Sequence, residues 1–282
     1  MEATGVYHEG IAHYLNNKGY RVSVMQSGRV KRYAQSLSQR SKTDALDSKM
    51  LSMLGCEREL VAWEPPSKLM QQLKSLSRER SNLIKEQSIE KNRQQSIASS
   101  NYQDKRAERR SKQRMKLIAS QLSEIEAELF SLSQSDAELS RKLSYVMSAP
   151  GISFITLITV VSETSGFSFI NNVKQLTSYA GYDVVLRESG TFKGKTKISK
   201  KGNKHIRSVL HMPSMAAIRY NPTLKTFYER LKPEKEQPIV ALVAVQRKML
   251  ILMYTLWKNE ENYDARYEQK KAARKQVSGC AG

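Results

Sequence analysis

The chain reads as a small α/β segment followed by an all-α remainder, the first part of which is a long antiparallel helical hairpin. Three observations carry this reading. A short apolar run, Arg21-Val22-Ser23-Val24-Met25, stands between two stretches of helical periodicity, as a strand flanked by helices would. Residues 67–132 then run essentially without Gly or Pro, with Leu and Ile at heptad spacing. Beyond residue 135, apolar segments of helical length are punctuated by Gly and Pro.

At the N-terminal end, a helix is expected through about Asn17, with Ile11, Tyr14 and Leu15 facing inward and Gly19 stopping it. Arg21–Met25 is the buried strand, and a short helix spans Val30 to Leu37. Lys42-Thr43-Asp44-Ala45-Leu46-Asp47 opens the next helix, because Leu46, Met50, Leu51 and Leu54 recur at helical spacing. Asp44 and Asp47 then project from one face of that helix. Two carboxylates so close raise each other's pKa unless a cation sits between them, and a hard divalent ion prefers such oxygen ligands. A second reading makes Asp44 the N-cap and Asp47 a first-turn acid, both favoured by the helix dipole. The hexapeptide by itself admits either.

Val61 to Pro66 is a linker, its paired prolines blocking helix. Leu69, Leu73, Leu76 and Leu83 fit one seam of a coiled-coil arm, and Ile118, Leu122, Ile125, Leu129 and Leu132 fit the other, with Ser99-Ser100-Asn101 between them. The middle of the arm carries Lys105, Arg106, Arg109, Arg110, Lys112, Arg114 and Lys116, with Glu108 the single acid inside the run. That pattern suits contact with nucleic acid. A solvated helical face is the other reading.

A helix from about Ser135 to Met147, the turn Ala149-Pro150-Gly151-Ile152-Ser153 and a helix from Phe154 to Val161 outline a helix-hairpin-helix unit or a plain αα-hairpin. Phe167 and Phe169 precede a helix from Val173 to Ala180, which Gly181 ends. From Arg187 through Arg207 the chain holds eight basic residues and one acid. Lys193, Lys195, Lys197, Lys200, Lys201, Lys204 and Arg207 are the candidate phosphate contacts, and Gly190, Gly194 and Gly202 let the backbone approach a phosphodiester. On spacing alone Ser189 is an ordinary turn serine. Helices follow from Lys204 to Tyr220, Pro222 to Leu231 and Gln237 to Trp257, the last closing the core with Val240, Val243, Met249, Leu250 and Met253. Tyr263 to Gly282 is basic and expected to be disordered.

Composition narrows the partners. With 47 Lys+Arg against 27 Asp+Glu in 282 residues, the formal charge is +20, the footprint of a polyanion binder. Cys56 and Cys280 lie far apart and form no Cys-x-x-Cys, which argues against a zinc framework or a disulfide scaffold and fits a reducing cytosol. No uninterrupted apolar run reaches the roughly 18 residues of a membrane span, and Met1-Glu2 begins no signal peptide. A cytoplasmic chain with no membrane partner is expected.

Two groups of motifs resemble one known family. Glu2-Ala3-Thr4-Gly5-Val6-Tyr7, the helix-strand-helix order that follows, and Lys42-Thr43-Asp44-Ala45-Leu46-Asp47 are similar to the later part of the RuvC-like, RNase H-type domain of a bacterial insertion-sequence transposase family. Ala149–Ile152, Tyr179–Tyr182, Glu188–Gly190, Ile198–Asn203, Arg207, Asn221-Pro222 and Ala244–Lys248 look like its C-terminal transposase domain, in the same order. The resemblance covers nearly all of residues 1–260. It implies a partial RuvC-like domain at 1–64, a coiled-coil arm at 65–134, a transposase domain at 135–262 and a basic tail at 263–282. It further implies DNA as substrate, a structured guide RNA, a homo-oligomer (dimer or tetramer), Mg²⁺ or Mn²⁺ held by Glu2, Asp44 and Asp47, and Ser189 as the nucleophile, with Ser199 its nearest competitor. His205 and His211 are the nearest histidines, both on the following helix. A composite site, carboxylates from one subunit and the serine from another, is permitted.

The family's first Asp lies on a strand before the Glu, whereas here Met1 stands directly before Glu2. The expectation is therefore an N-terminally truncated pattern, three carboxylates on a partial sheet and little activity of the 282-residue chain. The competing expectation is a non-catalytic nucleic-acid-binding remnant.

Overall fold

In the computed structural model, Met1–Pro66 and the chain from Ser67 onward pack as separate units. It describes residues 1–267 except 4, 38–40, 42, 103, 186–187, 195–196 and 234–236, and the side chains of 188, 192 and 193 are likewise outside the description. The expected tail thus lies almost wholly outside the described residues.

The first unit is built on one βαβ element. Strand β1 (Glu2–Ala3) runs parallel to β2 (Met25–Gln26), with Glu2 opposite Met25, and α1 (Tyr7–Asn17) connects them. The strand expected over Arg21–Met25 enters the ladder at Met25 alone. Residues before it are held by single bonds: Trp63 N donates to Val22 O at 2.7 Å, Ser23 Oγ to Val61 O at 2.8 Å, and the Met1 ammonium to Ser23 O at 2.8 Å. The inward face of α1 also differs from expectation. Ala12 is fully buried and Leu15 half-buried, while Ile11 and Tyr14 are exposed, because the small Ala12 side chain lets the helix lie close.

Helix α2 (Ser27–Ser36) and helix α3 (Asp44–Glu57) complete this unit. Val30 and Tyr33 of α2, Met50 and Leu54 of α3, and Met25 form its core. Thr43, not Asp44, is the N-cap of α3, its hydroxyl accepting from Leu46 N at 3.2 Å. Asp44 and Asp47 occupy the first turn.

In the second unit, α4 (Lys68–Ser99) and α5 (Lys105–Gln134) are capped by Ser67 and Asp104 and separated by the break around Ser100–Asn101. They run antiparallel, as the pairings of Arg80 with Glu126 and of Glu90 with Arg114 require. Leu73, Leu83, Ile118, Leu122, Ile125 and Leu129 are buried and continuous with the main core. That core is centred on α7 (Phe154–Glu163), which is buried over most of its length, and on α11 (Pro238–Asn259). Around them lie α6 (Ala137–Met147), α8 (Val173–Ala180), α9 (Lys204–Tyr220) and α10 (Pro222–Leu231). Asp, Ser or Asn caps each of α6 to α10, satisfying amides that helix geometry leaves open.

Helix α11 is long and apolar enough to span a bilayer by length and composition. Its buried residues, Val245, Met249, Leu250 and Met253 among them, belong to the common core, and Gln246, Arg247 and Lys248 interrupt it midway. It is the central helix of this unit. The Pro150-Gly151 turn, with Pro150 exposed and Gly151 half-buried, lies against α9. Gly151 has φ +91°, and a Cβ there would stand 2.7 Å from Ala217 Cα on α9. The turn packs on a helix, and its Ile152 amide donates to Ala149 O at 3.3 Å.

Within the arm, Glu90 is 3 % exposed and gathers three partners. Arg114 donates through Nε at 3.0 Å and Nη2 at 2.8 Å, Arg93 donates at 2.5 Å, and Ser111 adds a very short hydroxyl bond. The bonds from Arg114 and then Ser111 lower the carboxyl from its ordinary 4.5 to about 2. A carboxyl so lowered stabilises the fold above its unfolded value, and that contribution is lost as pH falls toward the folded one. Glu90→Gln should therefore lower the melting temperature at pH 6, and the gap from the parent should close between pH 4.5 and 2. A gap that stays constant through that window would show that the charge is not what holds the arm.

Candidate functional site

The basic loop expected after Gly181 is a two-tier hairpin standing on a glycine-locked base. Antiparallel strands β3 (Val184–Val185) and β6 (Lys197–Ile198) form the lower tier, and β4 (Glu188–Ser189) and β5 (Phe192–Lys193) the upper. Ser189 pairs with Phe192 across a two-residue connection, and Gly190 takes the positive φ, +56°, that such a turn requires.

At the base, the end of α8 meets the start of α9. Asn203 N donates to Tyr179 O at 2.7 Å and Lys200 N to Gly181 O at 3.1 Å. A Cβ on Gly202 would lie 2.5 Å from both Gly181 N and Tyr179 O, so the two backbone segments touch where no side chain fits. Arg207 brackets the joint, its Nη1 donating to Ala180 O at 2.7 Å and Asn203 O at 3.3 Å. The Arg207 guanidinium, a phosphate candidate by its place in the basic loop, is thus engaged inside the fold. Ser199 is engaged too: its hydroxyl donates to Asp183 Oδ1 at 2.5 Å and accepts from Lys201 N at 3.2 Å.

Beneath the base lies a carboxylate that sequence reasoning passed over. Glu163, 2 % exposed, receives Arg78 Nε at 2.7 Å and Nη2 at 3.0 Å, the bidentate geometry of a strong pair. Asn203 Nδ2 adds a bond at 2.7 Å, and its Oδ1 caps α9 through His205 N and Ile206 N. Burial pushes the Glu163 carboxyl up, but the Arg78 and Asn203 bonds outweigh it and the net shift is downward. Burial depresses His205, opposed by the Glu163 charge, so its imidazole is neutral near pH 7. The available sequence signal was Glu163 itself, the one charged residue of the otherwise apolar α7.

Ser189 contrasts with all of these. It is exposed, and among the described residues its hydroxyl has no hydrogen-bond partner. Lys197, Lys200, Lys201 and Lys204 are exposed around the same hairpin. Lys195 lies outside the described residues, as does the side chain of Lys193.

On the arm, Lys105, Arg109, Lys112 and Lys116 recur at i, i+4, i+7 and i+11 and share one exposed face with Glu108 and Gln113. The run is less uncompensated than its sequence suggests. Lys112 pairs with Glu108 at 2.6 Å, Arg110 approaches Asp104 at 3.8 Å, and Arg114 is committed to Glu90 from the facing helix. Arg106 and Arg109 have no carboxylate partner among the described residues.

In the first unit, Asp44 is exposed and Asp47 half-buried, both without a cationic partner among the described residues, and Glu2 is half-buried on β1. Two neighbouring carboxylates are oxygen donors of the kind a hard divalent ion takes. Among the described residues, however, no three His, Cys, Asp or Glu side chains gather as a metal-binding group, so Glu2 is not brought to the aspartates.

The base geometry has a direct consequence. Gly202→Ala should destabilise the unit by about 2 kcal/mol or more, since backbone would have to move. It should also expose the Asn203 amide, which donates to Tyr179 O across the joint, to hydrogen exchange. An Ala variant with parental stability and protection would show that the joint is looser than these distances.

Comparison with known proteins falls on the same two segments. Residues 1–102 match a DEDD-type IS110 transposase profile, and residues 143–229 match the profile described as Transposase IS116/IS110/IS902 family. The chain is 27% identical over 274 residues to a pilin gene-inverting protein of Moraxella bovis, covering 95% of this chain and 82% of that protein. A pilin gene-inverting protein of Moraxella lacunata is also 27% identical, over 277 residues with the same coverage. An uncharacterized 42 kDa protein of insertion element IS900 from Mycobacterium paratuberculosis is 23% identical over 124 residues, 44% of this chain and 31% of its own length. The two matched segments follow one another along the chain, so it is similar to IS110-family transposases over both its N-terminal and its later part.

Proposed function

We propose that this chain is a DNA recombinase that cuts and rejoins strands through Ser189, with the basic hairpin holding the scissile phosphate. The observation that carries the reading is the contrast between the two serines of the hairpin. The Ser199 hydroxyl is spent on Asp183, whereas the Ser189 hydroxyl is exposed at the end of β4. The rigid base below lets such a hydroxyl be positioned without ordering a loop at the moment of reaction. The inverting activity named for the Moraxella proteins is the kind of reaction this would perform.

In the proposed step, Ser189 Oγ attacks phosphorus, an Oγ–P bond forms and the P–O3′ bond breaks. One proton leaves the serine and one arrives at the departing 3′ oxygen, so the strand ends as a 5′-phosphoserine and a free 3′-hydroxyl. Attack by another 3′-hydroxyl reverses the step and reseals DNA without an external energy source. Lys197, Lys200, Lys201 and Lys204 neutralise charge on the non-bridging oxygens. Asp44 and Asp47 would hold a divalent cation that polarises a phosphoryl oxygen when bound, and Glu2, which the resemblance assigns to the same site, is not gathered with them among the described residues. A structured guide RNA on the basic surface and a second copy of the chain complete the assembly in this reading. The failure of three carboxylates to gather among the described residues favours the second reading, a nucleic-acid-binding protein without strand cleavage.

Trapping separates these. A DNA substrate nicked so that the cleaved end diffuses away should yield a protein-linked strand on a denaturing gel with the parent and none with Ser189→Ala. DNA affinity should be nearly unchanged in that variant, because the lost oxygen has no partner among the described residues. An adduct that persists in Ser189→Ala would move the nucleophile elsewhere, and absence of any adduct from the parent would favour the non-catalytic reading. For the carboxylates, Asp47→Asn should leave folding and nucleic-acid binding intact while weakening Mn²⁺ binding measured by paramagnetic broadening. Undiminished Mn²⁺ binding would remove Asp47 from the ligand set.

A further inference from the structure

We propose that the first unit carries its own nucleic-acid contact, a nucleotide-sized cleft rimmed by Arg29, Arg32 and Arg58, which takes one phosphodiester unit of a strand. This deepens the reading of the chain as a nucleic-acid enzyme and rests on it. The cleft has a volume of about 300 Å³ and lies between α2 and the end of α3, lined also by Met25, Tyr33 and Leu54.

Its construction follows from helix spacing. On α2, Val30 and Tyr33 point into the core at i and i+3. Arg29 and Arg32 each precede one of them, so both guanidinium stems leave the same side of the helix. Arg58 is the C-cap residue of α3, and its guanidinium stands over the Tyr33 ring, 6.0 Å from the centroid. Three cations thus converge on one concavity from two helices.

Their charge is not consumed within the unit. Arg32 spends Nε on Gly28 O at 3.1 Å, which leaves four of its five N–H donors. Arg29 and Arg58 make no side-chain hydrogen bond or ion pair among the described residues. Glu57 precedes Arg58 in the chain, and one of its oxygens accepts from Tyr33 OH at 2.7 Å. That bond raises the Tyr33 pKa, which keeps the phenol a donor and Glu57 tied to it. Arg21 shows what a compensated arginine in this unit looks like: it lies 4.0 Å from Glu59 and donates to Leu60 O at 3.0 Å.

Guanidinium groups suit phosphate because their planar forks match its oxygens. A buried apolar floor of Met25 and Leu54 beside them excludes water from one side and accepts a sugar or base. Small free anions would satisfy the charge but not the floor. The placement also separates this contact from the candidate carboxylates. Arg58 follows Asp44 by fourteen positions on α3, about 21 Å at 1.5 Å per residue, so a strand held at the cleft would extend toward that end over a few nucleotides.

The test measures binding of labelled single-stranded DNA and RNA of one sequence to the full chain as a function of KCl. Arg29→Gln, Arg32→Gln and Arg58→Gln should each weaken binding several-fold and lower the log–log salt slope by about 0.7, the value for one lost phosphate contact on a single strand. Arg21→Gln, which removes equal charge from the same unit, should change the slope little. Loss confined to RNA or to DNA identifies the occupant and supports the cleft either way. Unchanged slopes in all three variants, or an equal loss in Arg21→Gln, would overturn it. Should Arg106, Arg109 and Arg110→Gln flatten the slope while the cleft variants do not, the cleft fails and nucleic-acid binding stands. A parent that binds neither strand sinks both. Independently of any variant, arginine-specific modification read by mass spectrometry should show Arg29, Arg32 and Arg58 protected by bound strand and Arg21 unprotected. Equal labelling with and without nucleic acid would overturn the proposal.

Discussion

A single buried carboxylate sets the geometry of the larger unit. Glu163 ends the most apolar helix of the chain, and its charge can stay there because Arg78 reaches it from the arm and Asn203 from the hairpin base. Removing one partner from a buried pair costs about 3–5 kcal/mol, somewhat less here because the Arg78 side chain is 39% exposed. Arm, core helix and hairpin base are therefore mutually conditional. A device that charged is poor economy as a source of stability alone, since apolar residues of similar volume often serve as well. Its value lies in orientation: it fixes where α4 leaves the core and where α9 begins.

The hairpin inherits that rigidity. Gly181 and Gly202 bring two backbones into contact, Arg207 clamps them, and Ser199 ties the lower tier to Asp183. Among the described side chains of the upper tier, Ser189 and Thr191 are exposed. The same division recurs on the arm, where Arg114 closes on Glu90 and leaves Arg106 and Arg109 facing solvent. In both places the cations nearest the packed interior maintain structure, and those farther out are available to a polyanion.

Much of this was legible in residue patterns. The helices of the larger unit fall within a few residues of their expected limits because Ser, Asp and Asn caps and the Gly181 stop are local signals. The first unit was harder. Ala12 rather than Ile11 faces inward, and Val22 and Ser23 are held by single bonds rather than in a ladder, because close approach and edge pairing depend on neighbours that periodicity does not reveal. The site divided along the same line. Lys200 and Lys201 could be named as phosphate candidates from a basic, glycine-bearing loop, whereas Ser189 was singled out by the family resemblance alone. The internal work of Arg207 and Ser199 could not be read, since their partners Ala180 and Asp183 lie well apart in sequence. Glu163 and Arg78 are 85 residues apart, and no spacing rule joins them.

The buried ion cluster at Glu90 also makes the arm a ruler. Its contacts with Ser111 and Arg114 lock the register of α4 against α5, so neither helix can slide to adjust its reach. From Arg78 at the core to Ser99 near the tip is twenty-one positions, about 32 Å of helix. The stretch of charge beginning at Lys105 is thereby held at a set distance from the hairpin, like a footprint with a fixed stride. Removing one heptad from each helix would shorten the stride by about 10 Å while keeping the same face outward, whereas removing a single residue would turn that face by about 100°. The length of the arm, rather than any one side chain on it, then dictates how much nucleic acid must lie between the two points where the larger unit could grip it.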